Sequence, residues 1–494
     1  MSIQYQEIPA NNLVPIFATE FDNSLASKSG PMPWKNLIIG QAKAGAPSAL
    51  TKINTAEEAA AIYGSGSQVH LMVKAFRKNA KYMDLYVIGL QPESEAESAE
   101  ATLTVSGPAT ESAPLYLTVG GQAVTVSVAN GKTAAEIAAS IVAKIASLPD
   151  LPVEAEADSN VVTITAKDNG AAGNDIGIFL NFNQGEKTPA GVSIAEFAST
   201  DRVYLSGGVG DAEFSDAKVG NLIAGTWFNA IAIAKGDNTT TGNVAYIKGL
   251  LDDRWTAMVQ QTGVLFYSVN GDKSAHVTAG EARNSQVLCV PGLPKSPSLP
   301  SEIAAGAMGV VAMTALNDPA VPLANWPIAG IVAPKLSDRL DLNGKNDMLR
   351  AGVALLDAGE DGTVYLKRTV TTYKRNAANV ADTSYQQLEK IFTLSFLRWD
   401  WNAYLGGKYP HAKLADDGNE YGPGQVVMTP KLGKAEILTR YKYWMDKGLV
   451  QNFEEFKANV VVERDPDDST ALNFLIPADL IDQLLICKSK IQFK

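Results

Sequence analysis

NAIAIA (229–234), VLFYSV (264–269) and QVLCV (286–290) are short, almost wholly apolar runs. A strand with one wet face alternates apolar and polar residues, whereas a strand covered on both faces of a parallel sheet reads as a continuous apolar run. The stretches between and after these runs are long enough for crossover helices, expected at 244–261 and 301–316, so the runs read as strands of a central, mostly parallel sheet with flanking helices. NLIIGQ (36–41) and DLYVIGL (84–90) extend this α/β pattern towards the N-terminus. Between them, Thr55 and Glu58 have the spacing of a capping box and open a helix.

The pattern breaks at PESEAESAEA (92–101), a charged linker that leads into a stretch rich in Ala, Thr and Val. There LYLTVGGQAVTVSV (115–128) alternates about Gly-Gly, the signature of a tight hairpin. Thr133 and Glu136 repeat the capping-box spacing, and Ile137, Ile141 and Ile145 share one helical face. NVVTITAKDNG (160–170) and DIGIFLNF (175–182) add strands. Strand, strand, helix, strand, strand is the order of a small inserted α+β module. Beyond the parallel-sheet region come a helix around 347–357, a hairpin at TVYLKRTVTTY (363–373), and a long helix with Tyr385, Leu388, Phe392 and Trp399 on one face. The expected fold is α/β plus α+β and multidomain. Residues 1–27 read as an extended N-terminal arm, 28–92 as the first part of the α/β core and 93–206 as the inserted module. The core continues over 207–335, 336–470 form a C-terminal α+β domain, and 471–494 a C-terminal helix and linking strand.

That last strand has a period of two. Leu485, Cys487, Ser489, Ile491 and Phe493 point one way, and Lys488, Lys490, Gln492 and Lys494 the other. No hairpin partner follows it, so it must pair with an existing sheet edge, in its own fold or a neighbour's. At the other end, residues 1–27 are polar and punctuated, with only short alternation at Val14 and Ile16.

At 494 residues the chain is long enough for several domains, each with its own core. Its 42 Lys and Arg against 53 Asp and Glu give a net charge of -11, which argues against nucleic acid as a partner. The start lacks a basic region followed by an apolar one, and no uninterrupted apolar run reaches membrane-spanning length, so neither a secretory signal nor direct membrane insertion is expected. Cys289 and Cys487 each sit in an apolar, strand-like run and read as buried reduced thiols.

The chain holds little that resembles an active site. His70, His276 and His411 have no paired spacing and no neighbouring cysteines, so neither metal nor cofactor is expected. The nucleophile-elbow pattern GxSxG is absent. NGKT (130–133) ends like a phosphate loop, but Val126 stands where its first glycine belongs, leaving a turn and a helix cap. GGVGD (207–211) lacks the third glycine of a dinucleotide fingerprint and reads as a domain-boundary turn. RDPDDS (464–469) lacks the central glycine and closing glutamate of a calcium loop and reads as a solvated turn. Lys431, Lys434, Arg440, Lys442 and Lys447, opposed only by Glu436 and Asp446, are either a solvated helix face or a contact surface for an acidic protein.

NNLVPIFATEFDNSLAS (11–27) carries V-P, then an acidic residue and an aromatic, then D-N-S. With NLIIGQ, YGSGSQVHLMVKAF (63–76) and LNFLIPADLIDQLLICKSKIQF (472–493), it resembles the Mu-like contractile tail sheath proteins, and the module over 101–182 resembles that branch too. The resemblance implies a structural virion protein and no enzyme. Its subunits would stack as hexameric rings into a helical cylinder around the tail tube, and contraction would drive the tube through the host envelope for genome ejection. The implied partners are further copies of the chain, the tail tube protein, and baseplate and tail terminator proteins, assembled in the host cytoplasm. By the same resemblance, the N-terminal arm, with Val14, Pro15, Ile16 and Phe17, and the C-terminal strand join a sheet of adjacent subunits. The basic residues at 431–447 are the expected tube-facing surface. The family's central fold has been likened to subtilisin without its catalytic roles. The alternatives are the sheath of a headless, bacteriocin-like contractile particle, or an α/β hydrolase built on the central sheet.

Overall fold

A computed structural model describes residues 32–237, 241–422 and 424–493 of the chain, and their contacts divide into two compact units. The larger runs from Pro33 to Phe396 and takes in Met445–Gln451 and the chain from Asp479 onward. The smaller comprises Leu397–Trp444 and Asn452–Ala478. The division therefore falls at Leu397 and not at 336.

All five apolar runs meet in one six-stranded sheet, in the order Leu288–Cys289, Val264–Phe266, Ala230–Ile233, Asn36–Gln41, Leu85–Leu90, Thr51–Lys52. Every neighbouring pair is parallel except the last, where Thr51–Lys52 lies antiparallel at the edge. One face, with Leu37, Ile39, Ile231, Ile233 and Leu265, packs on Val244, Ile247 and Leu251 of the Asn243–Trp255 helix. The Pro300–Asn317 helix packs on the sheet and on the Gln68–Asn79 helix. It is rich in Ala, Gly, Val and Met, and its long buried stretch is that of a helix enclosed by protein rather than one with a single apolar stripe. Gly309 lets the two helices approach closely, since a Cβ there would lie 3.0 Å from the Phe76 carbonyl oxygen.

The inserted module is built from two four-stranded sheets, ordered 193–194, 100–106, 161–166, 153–158 and 202–204, 177–180, 113–119, 122–128. The Ala134–Ala146 helix packs against strands of both, with Ile137 and Ile141 fully buried. Thr133 and Glu136 form the full capping box. The hairpin turns where expected, Val119 opposite Gln122, with positive φ at both Gly120 and Gly121, as a two-residue turn of the primed type requires. Four of the module's strands were not visible in the sequence: the short Ser193–Ile194 and Arg202–Tyr204, and two longer ones. Glu100–Ser106 begins inside the charged linker, and Val153–Asp158 (VEAEAD) is rich in Ala, Glu and Asp, which are poor strand formers.

Other expectations are corrected. The helix placed at 347–357 is Leu342–Ala351; Gly352 ends it at φ 86°, and Ala354–Ala358 is a strand. The hairpin placed at 363–373 is a single strand, Val364–Arg368, lying between Ala354–Ala358 and Trp326–Ile328. Tyr385 precedes the long helix, Leu388–Lys408. The helix expected at 244–261 stops at Trp255. No helix forms within the described residues of 471–494; Leu472–Leu475 is a strand and Val450 bridges Leu480. Once Leu449 and Gln451 engage the backbone of Ile481 and Asp479, this stretch is committed to an extended path.

In the smaller unit the Pro430–Asp446 helix, the Phe453–Asn459 helix and the two-stranded sheet Val461–Arg464/Leu472–Leu475 enclose Trp401, Ile437, Tyr441, Trp444 and Phe456. Tyr441 and Phe456 stack with ring centroids 3.7 Å apart. Gly433 lets the sheet lie on the helix, because a Cβ there would already be 3.1 Å from Val462, Leu472 and Phe474.

Candidate assembly surfaces

The final segment leaves the larger unit by a short tether. Gln451 N donates to Asp479 O (2.9 Å), Ile481 N to Leu449 O (3.1 Å), and Gln483 Nε2 to Ala320 O (3.1 Å), while Lys390 pairs with Asp482 at 2.9 Å. Beyond Gln483 no residue of 484–493 lies in a strand or bridge with any described residue. Leu484, Ile486, Ile491 and Phe493 are 81%, 66%, 89% and 93% exposed. Of the expected face, Leu485 is half-buried and Cys487, Ser489, Ile491 and Phe493 are exposed. Cys289 is buried as expected but Cys487 is exposed, in a segment that joins no sheet among the described residues. Val14, Pro15, Ile16 and Phe17 lie outside the described residues.

The Val461–Arg464/Leu472–Leu475 sheet of the smaller unit also leaves groups open. Val462, Leu472 and Phe474 face inward, Phe474 packing edge-on to Trp401 at 5.3 Å, while Val461 and Leu475 stand 44% and 62% exposed. Neither strand pairs with a third among the described residues, so both outer edges offer backbone donors and acceptors.

The basic segment divides. Lys431 and Lys442 are exposed and Lys434 half-buried on the Pro430–Asp446 helix, and at roughly 100° per residue the three fall within a sector of about 80°. Lys447, also exposed, follows the helix. Arg440 lies about 180° from Lys431 and is buried. Its Nε donates to Asp400 Oδ2 (2.5 Å), its Nη2 to Asp400 Oδ1, and Trp444 Nε1 donates to the same carboxylate at 2.6 Å. The Tyr443 and Tyr404 rings lie 4.0 and 4.7 Å from the guanidinium. Arg440 is thus removed from the expected surface: a desolvated guanidinium must be paired, and here it is paired on both prongs. Nearby, Glu436 accepts from Tyr409 Oη (2.6 Å), Tyr404 Oη and Lys408 Nζ. Burial opposes its ionisation, but these bonds together hold its carboxyl below the usual range.

The chemistry-bearing motifs resolve as local structure. His70 Nδ1 accepts from Gly66 N at 3.0 Å at the start of its helix. His276 is buried with Nδ1 2.9 Å from Asp272 O, and His411 is exposed. In RDPDDS, Asp465 accepts from the backbones of Asp467 and Asp468 and from Asn473, and Asp468 accepts from Thr470, so these carboxylates are spent on the turn joining the two strands. GGVGD is where the module rejoins the core, with Glu97 bridging Val209. Among the described residues no group of His, Cys, Asp or Glu is arranged to hold a metal ion.

No family model matches the chain. A curated protein does: the Mu-like prophage FluMu tail sheath protein of Haemophilus influenzae is 30% identical over 500 residues, covering 100% of both chains. The chain belongs to the Mu-like tail sheath proteins. It is a structural component of a phage-like contractile tail. Among solved structures, a sheath tail protein of Desulfitobacterium hafniense aligns over 95% of this sheath protein and 100% of its own length, with 12% identity and a TM-score of 0.47. One from Listeria innocua aligns over 93% and 94%, with 12% identity and a TM-score of 0.48. The family assignment rests on the full-length relative. Sequence reasoning did not pair Arg440 with Asp400, although strict helical spacing already set Arg440 opposite Lys431.

Proposed function

We propose that this sheath protein polymerises as hexameric rings stacked into a helical cylinder around the tail tube. Contraction of the cylinder then drives the tube through the host envelope for genome ejection. The observation that carries this reading is that one chain has both an alternating tail, 484–493, without a partner among its described residues, and a two-stranded sheet with two open edges. A tail of one copy added to the sheet of the next would satisfy both, since edge pairing draws on the backbone and tolerates many side chains. The N-terminal arm, with Val14, Pro15, Ile16 and Phe17, is the second proposed donor. Strands shared in this way keep neighbours attached while contacts between folded units break and re-form. Contraction can then run downhill from a kinetically trapped extended state without a nucleotide. Lys431, Lys434, Lys442 and Lys447 are the proposed tube-facing surface. The partners are other copies, the tube protein, and baseplate and terminator proteins, with assembly in the host cytoplasm and residence in the virion tail. Deleting Ile486 to Lys494 tests the reading: the subunit should fold with an unchanged melting temperature and form no cylinders in electron micrographs. Ribbed cylinders of normal length from that truncation would sink it.

A further inference from the structure

The parallel sheet reverses its order of succession between its two central strands. From Asn36–Gln41 the chain steps outward to Leu85–Leu90 on one side, and later to Ala230–Ile233, Val264–Phe266 and Leu288–Cys289 on the other. In doubly wound sheets such a reversal opens a crevice at the carboxyl ends of the strands. Helix N-termini point into it, and an anionic ligand commonly binds there.

Here the inserted module occupies that crevice. Gln41, at the end of one central strand, donates through Nε2 to Asn169 O, and its backbone N–H donates to Gln68 Oε1 at 3.1 Å. Lys235, just past the other, donates to Ala171 O at 2.7 Å and lies 3.6 Å from Asp175. Asp168 Oδ2 accepts from the N–H of Gln68, the first residue of the Gln68–Asn79 helix, at 2.7 Å. The Asn243–Trp255 helix is served in the same way by the chain itself, Val244 N donating to Asp237 Oδ2 at 3.0 Å. Ala172 N donates to Asp211 Oδ1 at 2.9 Å, and Gly170, at φ 118°, fits beside that carboxylate only because it lacks a Cβ, which would sit 2.6 Å from the oxygen. The space left over is two cavities of about 30 and 20 Å³, each room for little more than one water.

We propose that residues 168–175 are the built-in ligand of the core sheet. They form a plug that places its own carboxylate, Asp168, at the helix N-terminus where an external anion would otherwise bind, and so lock the inserted module and the core into one cooperative unit. Hydrogen–deuterium exchange on the full chain tests this. Losing one charge-assisted bond of about 1.5 kcal/mol predicts that Asp168→Ala raises exchange in peptides 66–72 and 168–175 by roughly tenfold. Asp168→Asn keeps an acceptor for Gln68 N–H and should show no rise in exchange in either peptide. Lys218→Ala removes a different contact between module and core, to Glu93, and should leave both peptides unchanged. Unchanged exchange at 66–72 in Asp168→Ala, or an equal rise in Lys218→Ala, would overturn the proposal. If Asp168→Ala fails to fold, Lys235→Ala should raise exchange in 168–175, and no rise there would overturn it.

Discussion

The plug at 168–175 and the tail at 484–493 are of similar length, and they handle the same physical problem in opposite ways. In the plug, backbone and carboxylate groups find partners inside the chain, and Ile176 beside it is 5% exposed. The same holds along the rest of that junction, where Asp150 takes Ser65 and Lys74, and Asp338 takes Arg202 and Lys295. In the tail, Ile491 and Phe493 are left in water and the edge groups find nothing among the described residues. Packing is complete at one region and open at the other among the described residues. Substitutions in the closed regions should therefore appear as stability, and substitutions in the open one as assembly.

The largest effect tests whether Arg440 belongs with the closed parts of the molecule. Arg440→Met strands the buried Asp400 carboxylate and should cost about 3–5 kcal/mol in urea unfolding. Changing Lys431 and Lys442 to Glu should move stability by less than about 0.5 kcal/mol. A small effect for Arg440→Met would return that residue to the surface set.

An intermediate effect comes from the plug. Burial pushes the Asp168 carboxyl up to about 6, with the Gln68 N–H and Lys167 pulling the other way. Below its ordinary value, near 4, folded and unfolded states both hold the proton and no cost arises. As pH rises from about 4 to 6 the unfolded chain ionises more readily than the folded one, so stability is lost over that window and stays lost above it. Asp168→Asn removes the cost, and its unfolding free energy in urea should gain on wild type by about 2 kcal/mol between pH 4 and pH 7.5. Parallel pH profiles for the two proteins would refute this.

The smallest effect on folding is expected at the tail. Phe493→Ala and Ile491→Ala should change the stability of the isolated subunit by less than about 0.5 kcal/mol, yet lower the yield of cylinders seen by microscopy. A stability loss of core size would mean that the tail is already folded onto its own chain.

What was legible in the sequence follows the range of the forces involved. Unbroken apolar runs gave the parallel sheet, Gly120–Gly121 the hairpin, and Thr133 with Glu136 the helix start, because each is decided within a few residues. The 347–357 helix was drawn through Gly352, whose left-handed φ marks where it stops. The C-terminal helix failed because strand pairing from Leu449–Gln451, some thirty residues upstream, overrides local preference. The partners that matter most at the two closed sites, Asp400 for Arg440 and Asp168 for Gln68, are 40 and 100 residues away in sequence, with no local sign of the pairing. The tail's alternation was legible because it is local, and no strand among the described residues pairs with it.

The two open edges of the Val461–Arg464/Leu472–Leu475 sheet carry a last consequence. A giver and a receiver on different parts of one subunit join copies head to tail, and such contacts either close on themselves or propagate without limit. Under the proposed exchange, no copy along the axis of a cylinder would encode how many should follow it. The copies at one end would keep an unclaimed tail and those at the other an unfilled edge. Such a polymer would have a polarity written into its ends, and its length would have to be measured by something other than the subunit.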